Sequence, residues 1–200
     1  IYYENIPANA LRLFESKYAE NPSDANLYGL ALAYKKNNNF NEGLASLDKL
    51  LEKYPKNLVL NTTKVEFLSY FNKFNDALDL ANKFLEISPK NYPLSISKSQ
   101  ILLNMGQYFE SEEIIRDQLL RKNDSPDLWF MLSETQKTSQ NIVGYHQSRA
   151  EYFLLLGQDE KALNQLEFAL QLTQNNFQVS DRIMTKIIEI KKSLQNSRGL

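Results

Sequence analysis

The chain has 200 residues, of which 42% are hydrophobic and 24% charged, a composition typical of a folded protein and not of a disordered one. Its formal net charge of −1 supplies no basic surface for a phosphate backbone, so we expect no nucleic-acid partner. The sequence has no cysteine for disulfides or thiolate metal sites, and no apolar run long enough to span a bilayer.

The first residues predict a single helix that lacks its hairpin partner. Ala10, Phe14 and Pro22 match the second helix of a helical hairpin, which makes residues 8–22 a partial first hairpin. The chain starts at Ile1 with no initiator methionine and no signal segment. We therefore expect it to be a fragment or a processed product of a longer protein.

A repeat follows, and the prolines mark its length. Pro55 and Pro89 each end an amphipathic run, and they stand 34 residues apart, which is the tetratricopeptide period. Proline lacks an N–H and so separates one helix from the next. The spacing predicts full repeats at 24–57, 58–91 and 92–125, in an all-α, right-handed tetratricopeptide-repeat solenoid with helix boundaries near these prolines, Pro22 and Pro126.

Two kinds of residue recur inside these repeats at the same interval. Small residues should let the two helices of a hairpin approach closely, and aromatic residues should fill the crease between hairpins. They are Gly43, Ala77 and Ser111, and Phe40, Phe74 and Tyr108.

Beyond Pro126 the pattern changes. Trp129 begins another unit, and we expect its indole to lie between adjacent hairpins, but Gly157 and Ala162 mark a turn about half a repeat out of phase. Residues 126–174 are therefore predicted to form irregular hairpins, with helices around 127–137, 143–156 and 160–173. A last amphipathic helix at 176–195 is expected to cap the stack. Its polar outer face would carry Arg182, Lys186, Lys191 and Lys192.

The search for chemistry finds no catalytic pattern. His146 is the only histidine, and the sequence contains no HExxH, no glycine-rich phosphate loop and no nucleophile elbow. We expect no catalytic residue, metal or cofactor in this chain, and a local packing role for His146. What remains is surface for protein or peptide partners, lined by the first helix of each hairpin.

Counting from the repeat register places the candidate partner-binding residues on this inward face. They are Tyr28, Leu32, Thr63, Glu66, Tyr70, Gln100, Phe130, Glu134 and Glu151. The glutamates fall at one position of their helices and predict a mildly acidic groove with aromatic walls. The alternative is that they pair with neighbouring lysines and have no specific role.

The C-terminal third carries a more specific pattern. Residues 127–134, the run Arg149-Ala150-Glu151-Tyr152, the turn Leu156-Gly157-Gln158 and the segment Asn175-Asn176-Phe177-Gln178 stand in a distinctive order. Over residues 126–190 the chain resembles the C-terminal repeat domain of bacterial periplasmic zinc metalloproteases of the β-barrel assembly-enhancing protease type.

This resemblance implies a periplasmic location and a parent protein with an HExxH zinc peptidase domain, none of whose ligands or catalytic residues is matched here. It also implies that the chain recruits partners or substrates for outer-membrane protein quality control. The partners would be the outer-membrane assembly machinery or the parent's own peptidase domain. The alternative is a stand-alone scaffold or adaptor with no associated enzyme.

Overall fold

The computed structural model describes residues 7–173 and 175–198, so the predicted boundary at residue 174 lies outside the described residues. The described residues form eleven α-helices and no strand. In chain order these are α1 Pro7–Glu20, α2 Asp24–Lys36, α3 Phe40–Lys53, α4 Leu58–Tyr70, α5 Phe74–Ile87, α6 Tyr92–Asn104, α7 Tyr108–Leu119, α8 Pro126–Thr138, α9 Ile142–Leu155, α10 Asp159–Leu172 and α11 Phe177–Arg198.

The chain divides into two compact units, residues 1–105 and residues 106–200. In the first unit the described helices are α1 to α6, and in the second they are α7 to α11. Neighbouring helices along the chain pack against each other within each unit. The boundary between the two units falls between α6 and α7, inside the predicted repeat 92–125. The helix boundaries lie near the prolines at which the sequence predicts them.

A hydrogen-bonded cap starts the first helix of each hairpin. Each capping side chain accepts a hydrogen bond from the backbone N–H three residues on, at 3.2, 3.1, 3.0 and 3.4 Å. Such a bond satisfies one of the N–H groups that a helix start leaves without a partner. The four caps, which recur every 34 residues, are Ser23, Asn57, Asn91 and Ser125.

The small residues do allow the close approach that the sequence predicts. A Cβ atom at Gly43 would lie only 2.6 Å from the Phe67 ring, and Ala77 and Ser111 are fully buried at the equivalent positions. Phe40 packs between α3 and α4, with its ring centroid 5.8 Å from that of Phe67. Close packing of α3 against α4 therefore depends on the absence of a side chain at Gly43, next to the rings of Phe40 and Phe67.

The tight turns show the change of phase at Gly157 that the sequence predicts. Left-handed residues mark the turns after α2, α4, α6 and α8, and the same 34-residue interval holds through α8. They are Asn38, Asn72, Gly106 and Gln140. The next one, Gly157, comes half a period later, in the turn after α9. Helix α9 thus has a tight turn at each end, and it packs extensively against both α8 and α10.

Helix α11 carries the polar outer face that the sequence predicts, because Arg182, Lys191 and Lys192 are exposed and Lys186 is partly exposed. It buries an isoleucine stripe, Ile183, Ile187 and Ile190, against the second unit. Lys186 is ion-paired to Glu151 of α9 at 3.1 Å, and Lys191 to Glu167 of α10 at 3.3 Å. Two apolar residues, Met184 and Ile188, are also exposed on this helix.

Trp129 lies beside α7, the second helix of the preceding hairpin, but it is not fully buried there. Its side chain is half-buried, and its indole N–H donates to the carbonyl of Asn123 at 2.8 Å. The ring lines an open pocket with Leu119 and Leu120, while the preceding residue, Leu128, is the one that is fully buried. The polar edge of an indole is satisfied most easily near a loop carbonyl, which holds the ring at the surface.

Candidate functional site

A contact between helices joins two of the predicted residues of the first unit. Tyr28 and Leu32 are one turn apart on α2, and Thr63, Glu66 and Tyr70 follow the same spacing on α4. Tyr28 and Thr63 share a hydrogen bond of 2.9 Å between their hydroxyls, which joins α2 to α4. We call the surface formed by Tyr28, Leu32, Thr63, Glu66, Tyr70 and Gln100 the unit-1 face.

Thr63 is the candidate residue that the structure buries. Only 7% of it is exposed, and its hydroxyl also donates to the carbonyl of Val59 at 3.0 Å. Its hydrogen-bonding groups are therefore used inside the unit, where they fix the ring of the half-buried Tyr28. The accessible part of the unit-1 face is carried by Glu66, Tyr70 and Gln100, all of which are exposed.

Tyr70 is the exposed aromatic residue of this face, with 50% of its surface accessible. Its hydroxyl donates to the side-chain oxygen of Asn38 at 3.2 Å, and the ammonium of Lys35 lies 5.3 Å from its ring centroid. The ring is thus held from two sides without being covered. A fixed, exposed aromatic ring offers contact area at little entropic cost.

Lys35 places an ammonium group beneath this ring. Burial disfavours its charged form and lowers the pKa of Lys35 below its ordinary value, while the nearby Glu66 carboxylate acts in the opposite direction. Glu66 also accepts a hydrogen bond from Ser97 of α6 at 3.5 Å. Glu66 therefore has neighbours on both α2 and α6, and it is not a free acceptor in an acidic groove.

The second unit brings Phe130 and Glu134 of α8 next to Arg149 of α9. The guanidinium carbon lies 4.6 Å from the centroid of the Phe130 ring and 5.1 Å from that of Tyr152. Arg149 Nη1 is 3.6 Å from Glu134 Oε1, within ion-pair range but beyond hydrogen-bonding distance. This atom is buried and has no hydrogen-bond partner.

Glu151 lies apart from this group. It is two residues beyond Arg149, which turns it to a different flank of α9, and it pairs with Lys186 of α11. The predicted row of glutamates is therefore corrected to three separate environments. Glu134 and Glu151 each face a cation, as the alternative prediction has it, and Glu66 lies beside Lys35 and Ser97.

His146 takes part in packing. Its Nδ1 lies 2.8 Å from the side-chain oxygen of Gln165, and its ring contacts those of Tyr145 and Phe168 at centroid distances of 4.9 and 5.5 Å. Within the described ranges, no three His, Cys, Asp or Glu side chains are grouped so that they could hold a metal ion. None of the helices in those ranges is long and apolar enough to cross a membrane.

Sequence reasoning missed the cations of both surfaces. Lys35 stands one turn after Leu32 on α2, and Arg149 lies in the run that carries the family resemblance. The usable signal was helical spacing, because Lys35 is three residues from the candidate Leu32 and Arg149 is three residues from Tyr152 on the same helix. Which ring each cation covers depends on how the helices pack.

No protein-family model matches this chain, and no curated protein matches it either. Known structures do. A tetratricopeptide repeat protein from Parabacteroides merdae has a TM-score of 0.58 at 15% identity, with 89% of this chain and 77% of that chain covered. The repeat protein TTC0263 from Thermus thermophilus has a TM-score of 0.52 at 20% identity, with 91% of each chain covered. PilW, a type IV pilus biogenesis factor, has a TM-score of 0.64 at 16% identity, with 90% of each covered. These likenesses show the fold alone, and the fold is that of the tetratricopeptide repeat proteins.

Proposed function

We propose that this chain is a protein-interaction domain and that the exposed residues of the unit-1 face and of the Phe130 region bind segments of partner proteins. The observation that carries the proposal is the pair of partly exposed aromatic residues, Tyr70 and Phe130, each held in place by a cation. Aromatic residues that are fixed before binding tend to dominate interface energies.

We further propose, on the resemblance of residues 126–190, that the partners are substrates or assembly factors of a periplasmic zinc metalloprotease. In that case the parent protein carries its HExxH peptidase domain outside this chain, and that domain is a second candidate for what the surface binds. Reading the open reading frame upstream of Ile1 tests this directly. A signal peptide followed by HExxH supports it, and a start codon or lipobox next to Ile1 contradicts it.

The second candidate is a stand-alone scaffold with no associated enzyme. It is favoured by the similar length of PilW, a type IV pilus biogenesis factor of which this chain covers 90%. Both candidates use the same surfaces, so the test of binding is common to them. They differ in the identity of the partner and in the upstream sequence.

Binding is tested by placing a photo-crosslinking amino acid at Tyr70 or Phe130 in the full-length protein in its own cells. Matched positions at Lys83 and Glu110, which are also exposed but lie on the second helices of their hairpins, serve as controls. We expect discrete crosslinked products at Tyr70 and Phe130 only. Crosslinks confined to Lys83 and Glu110 would overturn the proposed surfaces.

A further inference from the structure

Three helices of the second unit present aromatic and cationic side chains along one flank. On α8 the stripe contains residues 130, 134 and 137, on α9 residues 145, 149 and 152, and on α10 residues 161, 165 and 168, each following helical spacing. We call this surface the aromatic–cationic face. It is defined by Phe130, Lys137, Arg149, Tyr152, Lys161 and Phe168.

Ring contacts make this face continuous between the helices. Lys137 Nζ lies 5.9 Å from the ring centroid of Tyr145, which joins α8 to α9. Lys161 Nζ lies 5.6 Å from the ring centroid of Phe153, which joins α10 to α9. Arg149, between them, lies over the ring of Phe130. The three cations therefore belong to one surface and not to three separate sites.

Two of the three cations keep exposed donors for a ligand, and Arg149 has a donor without a partner. A guanidinium that lies over an aromatic ring uses its flat face, while its N–H groups point outward in the plane and can still donate hydrogen bonds. Arg149 Nη1 has no hydrogen-bond partner, since Glu134 Oε1 is 3.6 Å away, but it is buried, so a ligand reaches it only after Glu134 turns aside. Lys137 and Lys161 are exposed. Phe130 and Phe168, which are 38% and 50% exposed, add apolar area beside these donors.

We infer that the aromatic–cationic face binds an acidic segment of a partner protein, with a partner carboxylate accepting hydrogen bonds from Arg149. The Glu134 side chain is 41% exposed and that of Arg149 22%, so Glu134 can turn away and open the guanidinium to the partner. Glu134 thus competes with the ligand. An aromatic side chain of the segment would rest against Phe130 or Phe168.

A peptide is a better fit than a nucleic acid. Aromatic rings with cations also suit single-stranded nucleic acids, but these polyanions need an extended basic groove along the backbone. The formal net charge of the chain is −1, and one of the groups within this face is a carboxylate. A short acidic segment needs only a few cations near apolar surface, and this is what α8, α9 and α10 supply.

This inference rests on the proposed function, and its test uses a defined probe. Fluorescence anisotropy on the full chain compares a labelled peptide that alternates Glu with Phe and Ser against a control peptide with Gln in place of every Glu. We expect the acidic peptide to bind more tightly. Lys137→Gln and Lys161→Gln should each weaken it several-fold, and Arg149→Gln by about tenfold or more, as a lost charge-assisted hydrogen bond implies.

Two further variants distinguish recognition from folding and from general electrostatics. Glu134→Gln should tighten the acidic peptide, because it removes the competing carboxylate, and a purely structural role of Arg149 would not give that gain. Lys192→Gln removes the same charge from an exposed site on α11 and should leave the affinity unchanged.

Several results would overturn the inference. They are equal binding of the two peptides, a loss in Lys192→Gln as large as in Lys161→Gln, weaker binding in Glu134→Gln, or tighter binding of a thymidine oligonucleotide than of the acidic peptide. If Tyr70 crosslinks a partner but the acidic peptide does not bind, the inference is wrong while the proposed function still holds. If neither Tyr70 nor Phe130 crosslinks a partner, the proposed function fails with it.

Discussion

Ser148 of α9 donates a hydrogen bond of 2.7 Å to the side-chain oxygen of Gln136 on α8, and Gln136 is completely buried. The Gln136 amide in turn donates to Glu112 of α7 at 3.0 Å. One polar side chain therefore links three helices at the point where the repeat pattern changes. Because its partners are specific, this link favours one register of α8 against α9.

We predict that Ser148→Ala lowers the free energy of unfolding by roughly 1–3 kcal/mol, because it leaves the buried Gln136 oxygen without a donor. Urea denaturation measures the change. The double variant Ser148→Ala/Gln136→Met should lose clearly less than the sum of the two single variants, since they break the same bond. Thr138→Ala, at an exposed position on α8, should cost less than about 0.5 kcal/mol. Additive losses would show that the Gln136 link has no energetic role.

Gly43 is expected to tolerate no side chain. In Gly43→Ala the new Cβ would lie 2.6 Å from the fully buried Phe67 ring, so the ring or the helix must shift. Such overpacking typically costs about 1–3 kcal/mol, and the loss should outweigh the helix-propensity gain of alanine over glycine. Thermal unfolding provides the measurement, with the exposed neighbour Asn41→Ala as control. A variant as stable as the wild-type protein would mean that Phe67 moves freely.

The adjacent residues Leu128 and Trp129 should differ in how much free energy of unfolding is lost when each is replaced by alanine. Leu128 is fully buried, so Leu128→Ala should cost about 2–5 kcal/mol. Trp129 is half-buried beside an open pocket, so Trp129→Ala should cost less than Leu128→Ala, about 1–2 kcal/mol. Unfolding of both variants in urea provides the comparison. A larger loss for Trp129 than for Leu128 would show that the indole contributes more to the packing between hairpins than its partial exposure indicates.

The fold could be predicted because its signals are local. The interval between Pro55 and Pro89 gives the hairpin length, and the caps Asn57 and Asn91 that set each helix start lie two residues further on. The number and order of the helices follow from these prolines and caps. The turn at Gly157 was also recognised from the sequence, but α9 has tight turns at both ends, and a periodic pattern does not reveal which neighbour it packs against.

The candidate surfaces could be predicted less well, for a physical reason. Register identifies which side of a helix faces outward, and it places Tyr70 and Phe130 at exposed positions. It does not say where a long cationic side chain ends. Lys35 reaches the Tyr70 ring from another helix, and Arg149 reaches Phe130. Such partners are set by tertiary packing and side-chain rotamers, on which a repeat pattern carries no information.

Lys35 provides a prediction on pH. Burial lowers its pKa in the folded protein relative to the unfolded chain. Between the two pKa values the unfolded chain holds more protons, so the free energy of unfolding should rise as the pH rises through that window. Below the folded pKa, the buried charge of Lys35 destabilises the protein fully. The effect is opposite in sign to that of a lysine in a stabilising ion pair.

Glu66 offsets part of this shift, because its carboxylate favours the charged ammonium of Lys35. We therefore predict that Glu66→Gln lowers the pKa of Lys35 further and widens the window in which stability rises with pH. An NMR titration of the Lys35 Cε resonance measures the pKa directly. Glu86→Gln removes the same charge from an exposed site on α5 and should leave the titration of Lys35 in place. If Glu66→Gln leaves the midpoint unchanged or raises it, the carboxylate does not act on Lys35, and the two side chains do not form the electrostatic pair that holds the ammonium beneath the Tyr70 ring.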